Sequence, residues 1–425
     1  MDDGKPDLRR GDIFILDGLP GSFTVGCDPL SFSSSRPFLG FRDITPGAHL
    51  IWVAPQECTS SRTGCWFYTE EKSDDEPGRV RVKQWDKFNE VLGEPASQDE
   101  DEDEDEERFE EEKLERMFEK LVPYGPRRFG REEDQIIATA EAKKSMTNTA
   151  VQGSQLIEKY NMWYQLTSEI RPSVLKKIMG QSRGTYLVTT MDSVAGQSDL
   201  SGESRLYSSG TSHLRFTFPM DVRLISPEAT GAERTRQALD PTAWVISKLE
   251  NPDDNDLVGE FQFAFITGMH LGNQPCLEQW FFLLTQLILR CYDLPLHRPR
   301  LARSLIQTFH AQLLYNDAYL EGDVFDLLSG SSERSLRIAL TKYKARLDEK
   351  FGDLTTDDQS TVSLAFSSLE SYVQTKRGWD IQGNYVKTGN MTLEDGEVVQ
   401  LDLPDFEDDD ETGEYAPVVL TLDTP

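Results

Sequence analysis

The sequence predicts an α+β protein with more than one domain, on three observations. Short runs rich in β-branched and aromatic residues follow one another from residue 12 to 92, separated by Gly and Pro turn signals. Apolar patterns of helical period dominate from about residue 232 onward. Strongly acidic stretches at residues 97–111 and near the C-terminus lack such a period. We therefore expect an N-terminal β-sandwich with accessory helices, a C-terminal all-helical domain, and a flexible acidic insert and tail.

The N-terminal β-rich domain is expected to span residues 1–180. Its strands are the runs DIFILD, GSFTVG, PFLGF, AHLIWV, GCWFYT and RVRVKQW. The last run alternates two sets of side chains, which predicts one buried and one solvated face. The sets are Val80, Val82 and Gln84 on one side, and Arg79, Arg81 and Lys83 on the other. Accessory helices are expected at residues 114–121 and 155–179, the second broken near Pro172.

Two segments have the composition of connections rather than of a folded core. Residues 97–111, SQDEDEDEDEERFEE, lack the glycine and the spacing of a calcium-binding EF-hand loop, so they are interpreted as a solvated acidic insert. Residues 181–212 are dense in Ser, Gly and Thr, which predicts an inter-domain linker.

The helical domain, residues 213–376, is organised around its most apolar stretch, from Asp256 to Leu289. Two helical patterns are separated there by Gly272 and Asn273, and Pro275 suits the first turn of the second helix because its missing N–H is not needed. We expect an antiparallel helical hairpin, the second helix running to Cys291, that the other helices cover.

Residues 377–425 predict an acidic tail that ends in an isolated strand, because Val418, Leu420 and Leu422 alternate with their neighbours. Such a strand either returns to the N-terminal sheet or adds to the sheet edge of a partner by β-augmentation. The candidate partner-binding residues are Ala416, Pro417, Val418, Val419, Leu420, Thr421 and Leu422.

Motifs that carry chemistry are missing from the sequence. It has no HExxH, GxSxG, phosphate-loop or dinucleotide-binding glycine motif, and its five histidines are scattered. We therefore predict no enzymatic activity, no metal and no cofactor. His270 ends an apolar helix, where capping of the last carbonyls is expected. The five cysteines form no CxxC pair, which favours reduced thiols and an intracellular location. The opening MDDGKPDLRR has no apolar core, and no run of 18 apolar residues occurs, so neither a secretory signal nor a membrane span is expected.

The formal net charge of -30 sets the class of partner. Charge of this sign repels nucleic acid and anionic membrane, so we expect neither as a direct partner. The expected partner is a basic protein surface.

Several blocks of this chain resemble the Aar-two (a1-alpha2 repression) family of U5 snRNP assembly factors. The blocks are PFLGFRDITPGAHLIWV at 37–53, GCWF at 64–67, WYQLTSEI at 163–170, VGEFQFAFITGMHLGN at 258–273, EQW at 278–280, RGWD at 377–380 and APVVL at 416–420. The acidic insert and the Ser-rich region lie between the matching blocks, so nothing is carried onto them.

The resemblance implies a β-sandwich domain, a linker and a helical domain similar to VHS domains, without enzymatic activity. It also implies binding to the RNase H-like and Jab1/MPN domains of the large U5 snRNP scaffold protein during cytoplasmic assembly. In that role the protein delays loading of the spliceosomal helicase and of RNA until the particle matures in the nucleus. Cytoplasm and nucleus are therefore the expected locations, with a monomer outside the complex.

Two hypotheses follow for the mechanism. The acidic insert and tail would shield a basic, RNA-binding face of the partner. Phosphorylation of the linker serines would expel the partner by adding charge; the candidates are Ser193, Ser198, Ser201 and Ser204. Two alternatives stay open: a trafficking adaptor built on the VHS-like helical domain, and a hydrolase built on the β domain.

Overall fold

A computed structural model provides the structure of the chain. It describes residues 11–56, 61–73, 76–95, 114, 116–125, 149–180, 182, 184–195, 213–249, 255–320, 322–351, 357–382, 386–392 and 398–404. The acidic insert, residues 416–422, Ser198, Ser201 and Ser204 lie outside these ranges.

The N-terminal half contains two five-stranded sheets, which confirms the predicted sandwich. The strands are β1 Asp12–Asp17, β2 Phe23–Cys27, β3 Leu30–Ser34, β4 Gly40–Ile44, β5 Gly47–Pro55, β6 Thr63–Thr69, β7 Val80–Asp86, β8 Val91–Gly93, β9 Val122–Pro123 and β10 Thr185–Thr189. One sheet has the order β8-β7-β1-β4-β9 and the other β10-β6-β5-β2-β3. Most neighbours are antiparallel, but β1 pairs in parallel with β7, and β4 with β9.

The central strand β5 is buried on both faces, and its sequence shows why. Successive side chains point to opposite faces of a sheet. Ile51 and Val53 lie in the core between the two sheets. Leu50 and Trp52 lie in a second core, shared with the helices. An uninterrupted apolar run, rather than an alternating one, is therefore what this position requires.

Strand β7 shows the predicted alternation, and its basic set of side chains is the one that faces inward. Val80 is 40% exposed, whereas the basic side chains of Arg81 and Lys83 are buried. Arg81 donates to the buried carboxylate of Asp12 at 2.6 Å, and Lys83 donates to Glu94. Because each buried cation has a carboxylate partner, the alternation alone could not tell which set points inward.

Two accessory helices cover the outer face of the second sheet, as predicted. They are α1 Thr149–Thr167 and α2 Pro172–Met179, with Pro172 in the first turn of α2. The indole N–H of Trp163 in α1 donates to the carbonyl of Ala48 at 3.2 Å. Residues 114 and 116–118 are helical too, and Leu114 and Leu121 pack on the outer face of the first sheet.

The C-terminal half is helical, which confirms the predicted class. Its helices are α3 Gly231–Leu239, α4 Thr242–Lys248, α5 Asp256–Leu271, α6 Gln274–Phe282, α7 Leu294–His297, α8 Pro299–Tyr319, α9 Ser332–Phe351 and α10 Asp357–Arg377. Among the described helices, none combines the length and the apolarity that crossing a membrane would require. The likeness to VHS domains stays a prediction.

The predicted helical hairpin is confirmed at its turn. Helix α5 is buried along nearly its whole length. Gly272 then takes the left-handed conformation at φ +66°, and the Asn273 side chain accepts the N–H of Cys276 to cap α6. Gly268 lets the two helices approach, since a Cβ there would lie 2.6 Å from Leu277. The second helix is not continuous to Cys291 as expected: it widens into a π-turn at Leu283–Leu287 and a 3₁₀ turn at Ile288–Arg290.

Parts of the predicted linker and tail belong to the folded body. Residues 185–189 form β10, which pairs along its whole length with β6, and β11 Ser193–Val194 pairs in parallel with β12 His213–Leu214. A linker interpretation is therefore wrong for these residues. The tail does not begin at 377 either, because Trp379 and Ile381 are buried in the helical core. Beyond them, β13 Val386–Thr392 and β14 Val398–Pro404 form an antiparallel hairpin.

Candidate partner-binding surface and the junction of the two halves

The two halves share one hydrophobic core. Trp66 of β6 is fully buried, and its indole N–H donates to the hydroxyl of Thr267 in α5 at 3.0 Å. Its ring stacks on Trp163 of α1 at a centroid distance of 6.2 Å and packs against Phe263 at 5.6 Å. A strand, an accessory helix and the helical hairpin thus meet at one indole, which makes the junction part of the core rather than a loose contact.

Asn273 fastens residues 189–192 to the helical hairpin. Its side-chain amide donates to the carbonyls of Thr189 and Asp192, each at 2.9 Å, while its oxygen caps α6. The side chain is fully buried, so these hydrogen bonds are shielded from water. Sequence reasoning recognised Asn273 only as a helix break. The Gly-Asn-x-Pro order indicates a cap, but no pattern indicates the contacts with residues 189–192.

His270 does not cap α5, contrary to the expectation. Its ring nitrogen Nε2 lies 3.1 Å from the hydroxyl of Tyr315 on α8. The carbonyl of His270 instead accepts a hydrogen bond from the guanidinium of Arg62, which also lies over the ring of Trp52 at 4.8 Å. Burial, with a smaller contribution from the positive charge of Arg62, lowers the pKa of His270 to about 3. The imidazole is therefore a neutral part of the junction.

A buried carboxylate joins α5 to the segment after β12. Both oxygens of Glu260 accept hydrogen bonds from Thr217, one from its N–H at 2.9 Å and one from its hydroxyl. Lys177 of α2 lies 3.5 Å from the same carboxylate. Burial raises the pKa of Glu260, and the bonds from Thr217 and the charge of Lys177 only partly oppose this. Three elements from both halves therefore meet at one carboxylate.

One histidine–carboxylate pair has the geometry of a catalytic dyad, but both of its partners are enclosed. His49 Nδ1 lies 2.7 Å from Asp28, and its Nε2 lies 2.7 Å from the carbonyl of Thr45. Asp28 also accepts hydrogen bonds from the hydroxyl of Tyr124 and the N–H of Leu50. His49 and Asp28 are each about 1% exposed. Every ring nitrogen and carboxylate oxygen is engaged within the sandwich, so the pair can brace strands but has no atom left to accept a substrate proton.

Neither a metal site nor a reactive thiol occurs among the described residues. Within them no group of three potential ligands can hold a metal ion. Cys27, Cys65, Cys276 and Cys291 are free and buried, and burial raises the pKa of each thiol, that of Cys65 to about 12. A shallow cleft beside the π-turn is lined by apolar side chains with Gln237, Gln286 and Arg290, none of which is a nucleophile or general base. Neither the thiols nor this cleft supports the hydrolase alternative.

Of the predicted site residues, the structure describes only Ser193. Its hydroxyl lies 2.7 Å from Nδ1 of His213, across the β11–β12 pair. The preceding residue, Asp192, is buried and its carbonyl accepts from Asn273. Ser193 is thus at the edge of the junction, one residue from the contact that holds this segment to the hairpin.

The acidity of the chain lies almost entirely outside the described residues. These carry 33 acidic and 32 basic side chains, although the whole chain has 74 and 44. Residues 97–111 alone have 11 acidic residues and one basic residue, and residues 405–425 have eight and none. The described residues are nearly neutral, and the insert and the tail supply 18 of the 29 net negative charges that lie outside them, so these two segments provide most of the long-range field of the protein.

In this protein two domains share one hydrophobic core, and the His49–Asp28 pair is enclosed. The junction between the domains is therefore a structural feature of the fold. Two family models match it: the AAR2 N-terminal domain at residues 10–180 and the AAR2 C-terminal repeat region at residues 216–382. Together they cover most of the chain, which therefore belongs to the AAR2 family. This is a family of non-enzymatic assembly factors with a splicing-related role in U5 snRNP assembly and a spliceosomal partner.

Proposed function

We propose that this protein is a non-enzymatic splicing factor that chaperones U5 snRNP assembly. It binds the RNase H-like and Jab1/MPN domains of the large U5 scaffold protein and delays loading of the helicase and of RNA. The observation that carries the proposal is the match of both halves to the AAR2 family. The shared core supports it, because a body that holds two domains in a fixed relation can present one surface to two domains of a partner.

The charge distribution supports the shielding mechanism. A scaffold face that later binds RNA is expected to be basic, since phosphate recognition relies on Lys and Arg. The acidic insert and tail contribute 19 acidic residues, whereas the described residues are nearly neutral. These acidic segments attract a basic face and compete there with RNA, while the rest of the protein supplies the specific contact. Residues 416–422 act as the strand that extends a sheet of the partner.

A deletion and a matched substitution test the tail. We expect removal of residues 404–425 to weaken binding to the combined RNase H-like and Jab1/MPN fragments in calorimetry. Replacing Val418, Leu420 and Leu422 by Ser keeps the eight acidic residues of the tail and removes the apolar face of the strand. If the strand acts by augmentation, the triple substitution weakens binding nearly as much as the deletion. An affinity equal to that of the intact chain for both variants would remove the tail from the mechanism.

Regulated release through Ser193 is the second part of the proposal. A phosphate on its hydroxyl breaks the contact with His213 and brings negative charge beside the buried Asp192 and the Asn273 contact. Ser193→Glu is expected to weaken the complex with the scaffold fragments on gel filtration, and Ser193→Ala to leave it intact. Equal stability of both complexes would refute this role. Ser198, Ser201 and Ser204 are tested in the same way, and shuttling between cytoplasm and nucleus is followed with the fluorescently tagged chain.

A further inference from the structure

The most exposed large apolar side chain among the described residues is Phe88. It is 98% exposed and lies at the tip of the hairpin between β7 and β8. Below the tip, Trp85 pairs with Leu92, and both are buried. The hairpin is therefore anchored in the core while its tip holds an aromatic ring in water. A single exposed apolar side chain is common on protein surfaces. Whether Phe88 has a binding role therefore depends on the structure around it.

The turn that carries Phe88 is held by one carboxylate. Asp86 accepts hydrogen bonds from the N–H groups of Phe88 and Asn89 at 2.8 and 3.2 Å, and from the side-chain amide of Asn89 at 2.6 Å. Glu90 then takes a left-handed conformation at φ +55°, which closes the turn. The backbone around the ring is thus ordered before any contact, and binding through it costs little conformational entropy.

A second exposed apolar side chain lies at the same end of the sandwich. Met191, 69% exposed, follows β10, and its N–H donates to the Thr189 hydroxyl. Thr189 pairs with Thr63, whose hydroxyl accepts the N–H of Leu92 next to the hairpin. Phe88 and Met191 therefore follow strands of the two different sheets, at the end of the sandwich that also meets the turn of the helical hairpin.

The chain itself indicates the chemistry of what meets this end. The acidic insert at 97–111 is joined to β8, and its first acidic residue follows Phe88 by 11 positions. A polyanion is thus tethered to the hairpin that presents the ring, on a body that is otherwise nearly neutral. The surface complementary to the Phe88 ring and the acidic insert is a basic protein face with an apolar pocket. Charge attraction would bring the two proteins together, and burial of the ring in the pocket would hold them.

We propose that Phe88, with Met191 at the same end of the sandwich, is an apolar anchor that enters a pocket on the basic face of the partner protein, and that the insert attracts that face. The partner is the one assigned under the proposed function, on which this inference rests. The two contributions have different signatures. Apolar burial is nearly independent of salt, whereas attraction by the insert is screened as ionic strength rises.

Full-length variants separate the two contributions in binding to the RNase H-like and Jab1/MPN fragments, measured by surface plasmon resonance at 50 and 300 mM salt. Phe88→Ala is expected to weaken affinity about 10-fold or more at both salt concentrations, chiefly through faster dissociation, given the typical value of burying a phenyl ring. Met191→Ala is expected to give a smaller loss of the same kind. Replacing the acidic residues of 99–107 by Asn and Gln should slow association at 50 mM salt and have little effect at 300 mM.

Leu364→Ala is the matched control, since Leu364 is 68% exposed on α10, in the helical half. It is expected to bind like the unsubstituted chain, and the Phe88, Met191 and Leu364 variants should melt at the same temperature because these side chains are exposed. Unchanged affinity of Phe88→Ala, or an equal loss with Leu364→Ala, overturns the anchor while the proposed function stands. If the unsubstituted chain fails to bind the fragments, both the anchor and the proposed function fall.

Discussion

Replacing Asn273 by Ala is expected to destabilise the protein more than any other single loss of a polar side chain at the junction. The substitution removes the cap of α6, an effect of about 1 kcal/mol. It also leaves the carbonyls of Thr189 and Asp192 without their buried donor, at about 1 kcal/mol or more each. We therefore expect a loss of about 3 kcal/mol in the free energy of unfolding.

The assay is equilibrium unfolding in urea followed by tryptophan fluorescence, with Trp66 and Trp163 as buried reporters at the junction. Asn273→Ser separates the two effects, because its hydroxyl can still cap α6 but cannot reach the carbonyls. Gln274→Ala is the control, since the exposed Gln274 side chain donates to Glu278 within α6. Limited proteolysis provides a second readout, since loss of the contact should speed cleavage around residues 189–195.

A stability for Asn273→Ala within 0.5 kcal/mol of the unsubstituted chain would refute the reasoning. So would full stability of Asn273→Ser, because the cap would then account for the whole effect. Unchanged cleavage of Asn273→Ala would show that the segment is held by other contacts.

Three further predictions concern buried polar groups. Burial opposes ionisation of Asp12, but hydrogen bonds from Lys72, Arg81 and the N–H of Arg79 outweigh it and lower the pKa of its carboxyl group. The ionised carboxylate therefore stabilises the fold above about pH 4, and this stabilisation is lost as the pH falls below. The difference in urea midpoint between the unsubstituted chain and Asp12→Asn should shrink in acid. Burial lowers the pKa of His270, so as the pH falls from 6.5 towards 3 the unfolded state takes up a proton before the folded state does. The free energy of unfolding should therefore decrease in that window, and His270→Gln should reduce this decrease. Trp66→Phe and Thr267→Val each remove one partner of a buried hydrogen bond, and a double-mutant cycle in urea should give a coupling of about 1 kcal/mol; additive losses would contradict the contact.

The sequence predicted the elements whose pattern is local. The strands of the sandwich and the turn at Gly272 depend on periodicity and on residues adjacent in the chain, and the structure confirms them. The inward orientation of Arg81 and Lys83 was not predictable, because their carboxylate partners come from β1 and from beyond β8. A charged side chain is expected to face solvent unless a partner of opposite charge is known.

Composition misled in the same way at the linker and at the start of the tail. The Ser- and Gly-rich composition of residues 181–212 as a whole concealed β10, although the strand's own residues, TYLVT, are typical of a strand. The segment is ordered by pairing with β6 and by the amide of Asn273, a residue 81 positions from Asp192. Trp379 is held in the core by distant residues: Glu333 accepts its N–H and Phe325 packs on its ring. Contacts of this kind between distant parts of the chain leave no local pattern in the sequence.

The two acidic segments lie at different places in the chain, and this bears on what each contributes to binding. The insert leaves the sandwich after β8, and the acidic part of the tail follows the hairpin beyond the helical half. Each half therefore has its own polyanion, while the body between them is nearly neutral. Attraction between charges in solution extends only about 8 Å at physiological salt, so two acidic segments that are distant in the chain should act separately. We therefore expect a partner with two basic regions, and we expect neutralising either acidic segment to slow association with only one of them.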